Sequence, residues 1–234
     1  MSETHPDEMF DTSPAPFPSK NIRLAGEHVT IVGTTAAHAP ALFEQTGGSA
    51  HASLYQYLFD GPYDTIEDLS KALARQAADN ATIFYTILLN NDGSGEVGKP
   101  VGQFALMRID AANRVVEVGH VLYTPKLQRT PAATEAIFLL ASHVFEDLGY
   151  RRFEWKCNSL NMPSRRAALR LGFTYEGMFR QHMFQRGKNR DTTWFSMLDG
   201  EWPGCKKAFQ SWLSADNFDE AAKQRTRLED FRSN

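Results

Sequence analysis

Three short stretches of this 234-residue chain place side chains at spacings that suit chemistry. The first is LQRTPAATEA, residues 127–136, which reads as the start of a helix with Thr130 as N-cap and Pro131 in the first turn. Helix-opening amides have no intrahelical acceptor and sit at the positive end of the helix dipole. The amides of Arg129, Thr130, Ala132, Ala133 and Thr134, aided by the Arg129 side chain, the Thr134 hydroxyl and neighbouring Gln128, therefore suit an anion such as a phosphate. Pro131 removes one donor but breaks no helix bond. Small Ala132 and Ala133 leave room for close approach. The alternative is a well-capped helix that binds nothing. The second stretch, NRVVEVGHVLYT, carries Glu117 and, three residues later, His120. On a regular strand Glu117 shares a face with Val115, Gly119, Val121 and Tyr123, surroundings that raise a carboxyl pKa and make the group a better proton acceptor, whereas a bulge there would alter that parity. Its alternative is a pairing with an arginine or a place facing solvent. The third stretch, NMPSRRAALRLGF, holds Asn161 and Ser164 at a helix start, where either could cap a free amide.

The elements that must position these residues follow from periodicity and punctuation. HVTIVGTT reads as a first strand, and helices are expected near residues 37–45 and 65–79. Between them HASLYQYLFDGPYD, aromatic and broken by Gly61 and Pro62, suits a substrate-facing loop. ATIFYTILL and PVGQFALMRID are strands joined by the turn-forming NNDGSGEVGK, and NRVVEVGHVLYT pairs next. A long helix then runs to Leu148 with Ile137, Leu140, Ala141, Val144, Phe145 and Leu148 on one buried face, ended by Gly149. RRFEWKCN, TYEGMFRQHMF and DTTWFSMLD are later strands. RRFEWKCN puts Glu154 and Lys156 opposite Phe153 and Trp155. Residues 1–20, with their prolines and acidic side chains, are expected to form a flexible arm. Residues 21–204 form the folded domain, and 205–234 a weakly packed helical extension that includes FDEAAKQRTRLEDF.

A formal net charge of −3 argues against a general nucleic-acid-binding surface. The two cysteines, Cys157 and Cys205, lie far apart, and no His or Cys pair has metal-ligand spacing. No apolar run is long enough to span a bilayer. The expectation is a cytoplasmic protein without metal or membrane attachment.

The order of elements over roughly residues 22–200, together with Gln128-x-x-Pro131-x-Ala133 and the later Asn161, Ser164, Gly172 and Phe173, resembles the GNAT superfamily of N-acetyltransferases. Within it the second motif is similar to the RimJ and RimL branch that acts on ribosomal-protein N-termini. The resemblance implies an α/β fold, with a mixed, largely antiparallel sheet splayed at a cofactor cleft and helices on both faces. It implies direct acetyl transfer from acetyl-CoA to a primary amine in a ternary complex, with no metal. Val121 and Leu122, in the backbone run 119–122, would meet the thioester and pantetheine. Residues 128–134 would receive the pyrophosphate, and Asn161 the pantetheine arm. The position of Glu117, eleven residues before Gln128, matches a catalytic glutamate of several members, with His120 as a second choice. Ala168 stands where many members have a tyrosine acid, so Ser164 or a water must serve. Tyr55, Tyr57, Phe59, Tyr63, Trp155, His182 and Trp194 are candidates for the acceptor pocket. The acceptor is a small amine or a protein N-terminus, and a homodimer is left open. A coenzyme A-binding regulatory or interaction protein without turnover is the alternative.

Overall fold

The structure, a computed structural model, describes residues 12–90 and 98–232. Residues 1–11 of the expected arm and most of the turn in NNDGSGEVGK lie outside the described residues. One eight-stranded sheet runs through the domain. Its strands are β1 (Arg23–Ala25), β2 (Val29–Gly33), β3 (Ile83–Leu89), β4 (Lys99–Asp110), β5 (Val115–Tyr123), β6 (Arg152–Asn158), β7 (Thr174–Gln185) and β8 (Lys188–Leu198). They lie in the order β1-β2-β3-β4-β5-β6-β8-β7. Every neighbouring pair is antiparallel except β5 and β6. Parallel neighbours need a long crossover, which α3 (Pro131–Ser142) supplies. The other helices are α1 (Ala39–Thr46), α2 (Ile66–Ala78), α4 (Met162–Arg170) and α5 (Trp202–Leu213).

The apolar stripe expected on the crossover helix forms the core contact. Ile137, Leu140, Ala141, Val144, Phe145 and Leu148 are all buried against Val116, Val118 and Phe153 of the sheet. After Ser142 the helix widens into one π-type turn, His143–Asp147, before Gly149 ends it with φ of 65°. Helix α3 is also tied to the first hairpin. The buried Glu135 carboxylate accepts from the amides of Glu27, His28 and Val29 at 2.8, 2.7 and 2.8 Å, satisfying donors that a turn would otherwise leave unpaired. Strand β1, too short to show periodicity, was not expected.

Two expectations about the chain ends are corrected. Residues 12–20 do not behave as a free arm: Ala15 is buried and its amide donates to Ala111 O, while Tyr85 Oη donates to Ser19 O. The prolines favour an extended segment that lies against the sheet without a helix or strand of its own. At the other end, the boundary expected at residue 204 falls inside α5, which buries Trp202, Cys205, Ala208, Phe209 and Trp212. The expected helix over FDEAAKQRTRLEDF is absent. Asp219 Oδ1 accepts from the amides of Ala221 and Lys223, and Asn217 Oδ1 from that of Thr226. Such side-chain bonds compete with helical ones. The segment folds back, bridging Phe218 to Gln224.

Candidate active site

The parallel pairing of β5 and β6 covers only Val115↔Arg152 to Val118↔Trp155. Beyond Val118 the strands part, and a cleft of about 1140 Å³ opens between them. One end of it is built on the start of α3. Thr130 has extended backbone, its hydroxyl accepts from the Ala133 amide at 3.3 Å, and Pro131 follows at the first helical position. Arg129 adopts φ of 63°, which turns the chain into the helix. Gln128, Arg129, Thr130, Ala133 and Thr134 line this end. Ala132, expected to offer its amide here, turns its side chain into the core, because one position along a helix turns a side chain by about 100°. Two cations not anticipated join the site. Arg166 lines the cleft, and Arg170 donates to Thr134 Oγ1 at 3.0 Å with its guanidinium 4.7 Å from the Trp212 ring centroid. Burial lowers the Arg170 pKa. A helix N-terminus with small side chains and three guanidinium groups fits the diphosphate of a coenzyme A. Trp212 of α5 and Phe218 and Gln224 of the folded-back C-terminal segment line the same cleft.

In the middle, residues 119–123 and Asn161, Ser164 and Trp155 form the walls. Asn161 caps α4, its Oδ1 accepting from Ser164 N at 3.2 Å. Ser164 Oγ accepts from Trp155 Nε1 at 3.0 Å. Since that bond occupies an acceptor site, the Ser164 O–H remains able to donate into the cleft.

The other end holds the carboxylate. Val116 and Val118 point into the core and Glu117 to the opposite side. The expected companions Val121 and Tyr123 do not share its face: they pack against the core cluster. The cause is a bulge. Pairing with β4 shifts between Gln103↔Leu122 and Ala105↔Gly119, and His120 at φ of 50° supplies the extra residue, reversing the alternation beyond it. A second register shift places Arg108 at φ of 48° on β4.

Glu117 is 5% exposed. Its Oε2 lies 2.9 Å from Lys156 Nζ and 3.4 Å from Arg108 Nε. The lysine contact is the shorter of the two and joins two nearly buried charges. Burial raises the Glu117 pKa, and the attraction of Lys156 and Arg108 only partly opposes it. Lys156 also lies 3.0 Å from Glu154 Oε2, and its ammonium sits 3.6 Å from the Trp194 ring centroid. The parity of RRFEWKC did show Glu154 and Lys156 on one face, but not that this face meets Glu117. His120 lines the cleft with its ring centroid 5.1 Å from that of Phe84, and burial lowers its pKa. It is therefore a weaker base than an exposed histidine.

Of the aromatic candidates, Tyr57, Phe59, Trp155 and His182 line the cleft, joined by Arg190. Tyr55 and Tyr63 pack edge to face against each other, and Trp194 lies beneath Lys156. Arg151 is exposed outside the cleft, while Arg152 binds Glu176 and Glu154. Among the described residues no group of three or more His, Cys, Asp or Glu could hold a metal ion. No helix is long and apolar enough to cross a membrane, again among the described residues.

A split sheet with a helix N-terminus on one side of the split and a buried glutamate on the other defines a class. The family model of the acetyltransferase (GNAT) domain matches residues 28–174, and the chain belongs to that family. A GCN5-related N-acetyltransferase from Brucella melitensis is 42% identical, covers 94% of this chain and 98% of its own, and superposes with a TM-score of 0.88. A Bacillus subtilis (strain 168) protein named for ribosomal N-acetyltransferase activity, YdaF, is 29% identical over 109 residues, which is 47% of this chain and 59% of that protein. The chain thus spans little more than half the length of that curated relative, whose name is consistent with the RimJ/RimL-like branch. A Salmonella typhimurium acetyltransferase, described as modifying the N-terminal serine of 50S ribosomal subunit protein L7/L12, shares the fold at 20% identity, covering 76% of this chain and 99% of its own, with a TM-score of 0.63.

Proposed function

We propose that this acetyltransferase takes its acetyl group from acetyl-CoA and delivers it directly to a primary amine held in the same cleft. The observation that carries the proposal is the single cleft joining the N-terminus of α3 to the buried Glu117 where the β5–β6 pairing ends. When bound, acetyl-CoA supplies an acyl group activated as a thioester. Residues 128–131, 133 and 134, with Arg166 and Arg170, hold its phosphates. The freed backbone of Val121 and Leu122 and the side chain of Asn161 flank its arm.

The chain's own chemistry is proton handling. An alkyl ammonium titrates near pH 10, so it must lose a proton before it can act as a nucleophile. Glu117, whose basicity is raised by burial, accepts that proton directly or through water. Lys156 keeps the carboxylate ionised and oriented. Ser164, oriented by Trp155 Nε1, donates a proton toward the departing thiol. His120, its pKa lowered, lines the cleft as a second titratable group. The acceptor class is a small amine or a protein N-terminus, as in the branch with ribosomal substrates, and the setting is the cytoplasm.

The test is two-stage. Coenzyme A should raise the melting temperature, since a ligand at one hundred times its Kd stabilises the native state by about 2.7 kcal/mol. A screen of amines with acetyl-CoA and a free-thiol readout should then give turnover. Stabilisation without turnover on any amine would leave a coenzyme A-binding protein, and neither response would remove the proposal.

A further inference from the structure

Arg190 of β8 is 8% exposed and lines the acceptor end of the cleft. Its Nε donates to Thr192 Oγ1 at 3.2 Å, and its guanidinium lies 5.3 Å from the Phe59 ring centroid. No carboxylate forms an ion pair with it among the described residues. A buried guanidinium without a counter-charge is costly.

Burial of Arg190 is only partly offset by its neighbours: Glu117 attracts it from beyond ion-pair distance and is itself engaged elsewhere. Lys156 is shared between Glu117 and Glu154, and Arg152 between Glu154 and Glu176. Arg108 leans on Glu117 from the rim. Along this connected row four cations (Arg108, Arg152, Lys156, Arg190) therefore meet three carboxylates (Glu117, Glu154, Glu176). Arg108, Arg190 and Lys156 all act on His182 at the same end, holding it toward the neutral form in addition to the effect of burial.

Resting on the acetyltransfer reading above, we propose that Arg190 anchors a carboxylate carried by the acceptor amine. With Nε engaged by Thr192, the two terminal nitrogens are the groups left to grip a carboxylate. The coenzyme A phosphates are served at the other end by Arg129, Arg166 and Arg170, so they do not account for Arg190. Phe59, against the guanidinium face, fixes its plane. The same carboxylate chemistry comes from two sources: a free α-amino acid, or an acidic side chain near a peptide N-terminus.

The experiment compares matched acceptors with acetyl-CoA by thiol release: phenylalanine against phenylalaninamide, and Ser-Asp-amide against Ser-Asn-amide. We expect the carboxylate member of one pair to be favoured by about tenfold or more in kcat/KM, because hydrogen bonds to charged groups carry that much discrimination. The pair that responds identifies the source. Arg190→Gln should bring that ratio to near one, mainly through KM, and Arg190→Lys should restore part of it. Coenzyme A thermal protection of both variants verifies their folding. Equal use of both members of each pair, or an unaltered ratio in Arg190→Gln, overturns the anchor while leaving acetyltransfer in place. A preference for succinyl-CoA over acetyl-CoA that depends on Arg190 overturns it as well, since the carboxylate would then belong to the acyl group. Absence of thiol release with every amine removes this proposal and the parent reading together.

Discussion

Glu117, the base of the proposed reaction, has a lysine ammonium against it, and the two opposing influences on its pKa can be separated by mutation. Burial raises the pKa and Lys156 lowers it. The carboxylate must be unprotonated to accept the amine's proton, so activity should fall as pH drops through this raised pKa, nearer neutrality than an ordinary carboxyl near 4.3. Lys156→Met removes the attraction, raises the pKa further and should shift the acid limb of kcat to higher pH. An unmoved limb in a pH–rate profile would disconnect the pair from the chemistry. Glu117→Gln should retain coenzyme A binding yet lower kcat by roughly 10²-fold or more, with a steeper dependence on alkaline pH. Near-parent kcat in that variant would transfer the role to His120 or a water. The candidacy of Glu117 came from the family resemblance, which places a catalytic glutamate eleven residues before Gln128, and from the apolar strand around it. Its partner was not legible, since the pairing of Glu117 with Lys156 depends on the Glu117↔Glu154 register of two strands that are distant in sequence. Arg190 was missed for the same reason.

At the level of elements, the start of α3 shows how one sequence feature can be read without its usual glycine. Thr130 and Pro131 set the turn by capping and by a fixed φ, and Gln128, Arg129, Thr130, Ala133 and Thr134 still line the cleft. Ala133→Glu should abolish thermal protection by coenzyme A without unfolding the protein, because a carboxylate would then meet the phosphates. Undiminished protection in a melting assay would displace the phosphate site. Pro131→Gly should retain binding and lose a little stability, about 0.4–1 kcal/mol through the unfolded chain, readable by denaturant titration. Most strands and helices were legible from their periods and caps; Thr65 and Thr130 are both observed N-caps. What periodicity could not show was the reversal of β5 beyond His120. A left-handed histidine leaves no mark in the alternation of side chains, so Val121 and Tyr123 were expected on the wrong face.

Across the whole molecule the charged row on the sheet ties three strands beyond the cleft to the site. Arg152 donates to both Glu176 oxygens, and this pairing lowers the Glu176 pKa below its ordinary value. A depressed carboxyl pKa contributes stability above the unfolded-state pKa near 4.3, and that contribution is lost as pH falls through the folded value. Glu176→Gln should therefore melt below the parent at pH 7, and the gap should close in acid. A gap independent of pH would show that the ion pair contributes nothing. The charge balance of this row was hidden in the sequence, where an overall charge of −3 says nothing of a local excess of cations.

The folded-back C-terminal segment also sets an order in time. Trp212 of α5, with Phe218 and Gln224 of that segment, walls the cleft that Glu117 and the start of α3 also line, so a growing chain on the ribosome has made Glu117 well before it can finish the pocket around it. The nascent domain is born with an open purse and acquires the drawstring later, once residues 212–224 have been made and folded back.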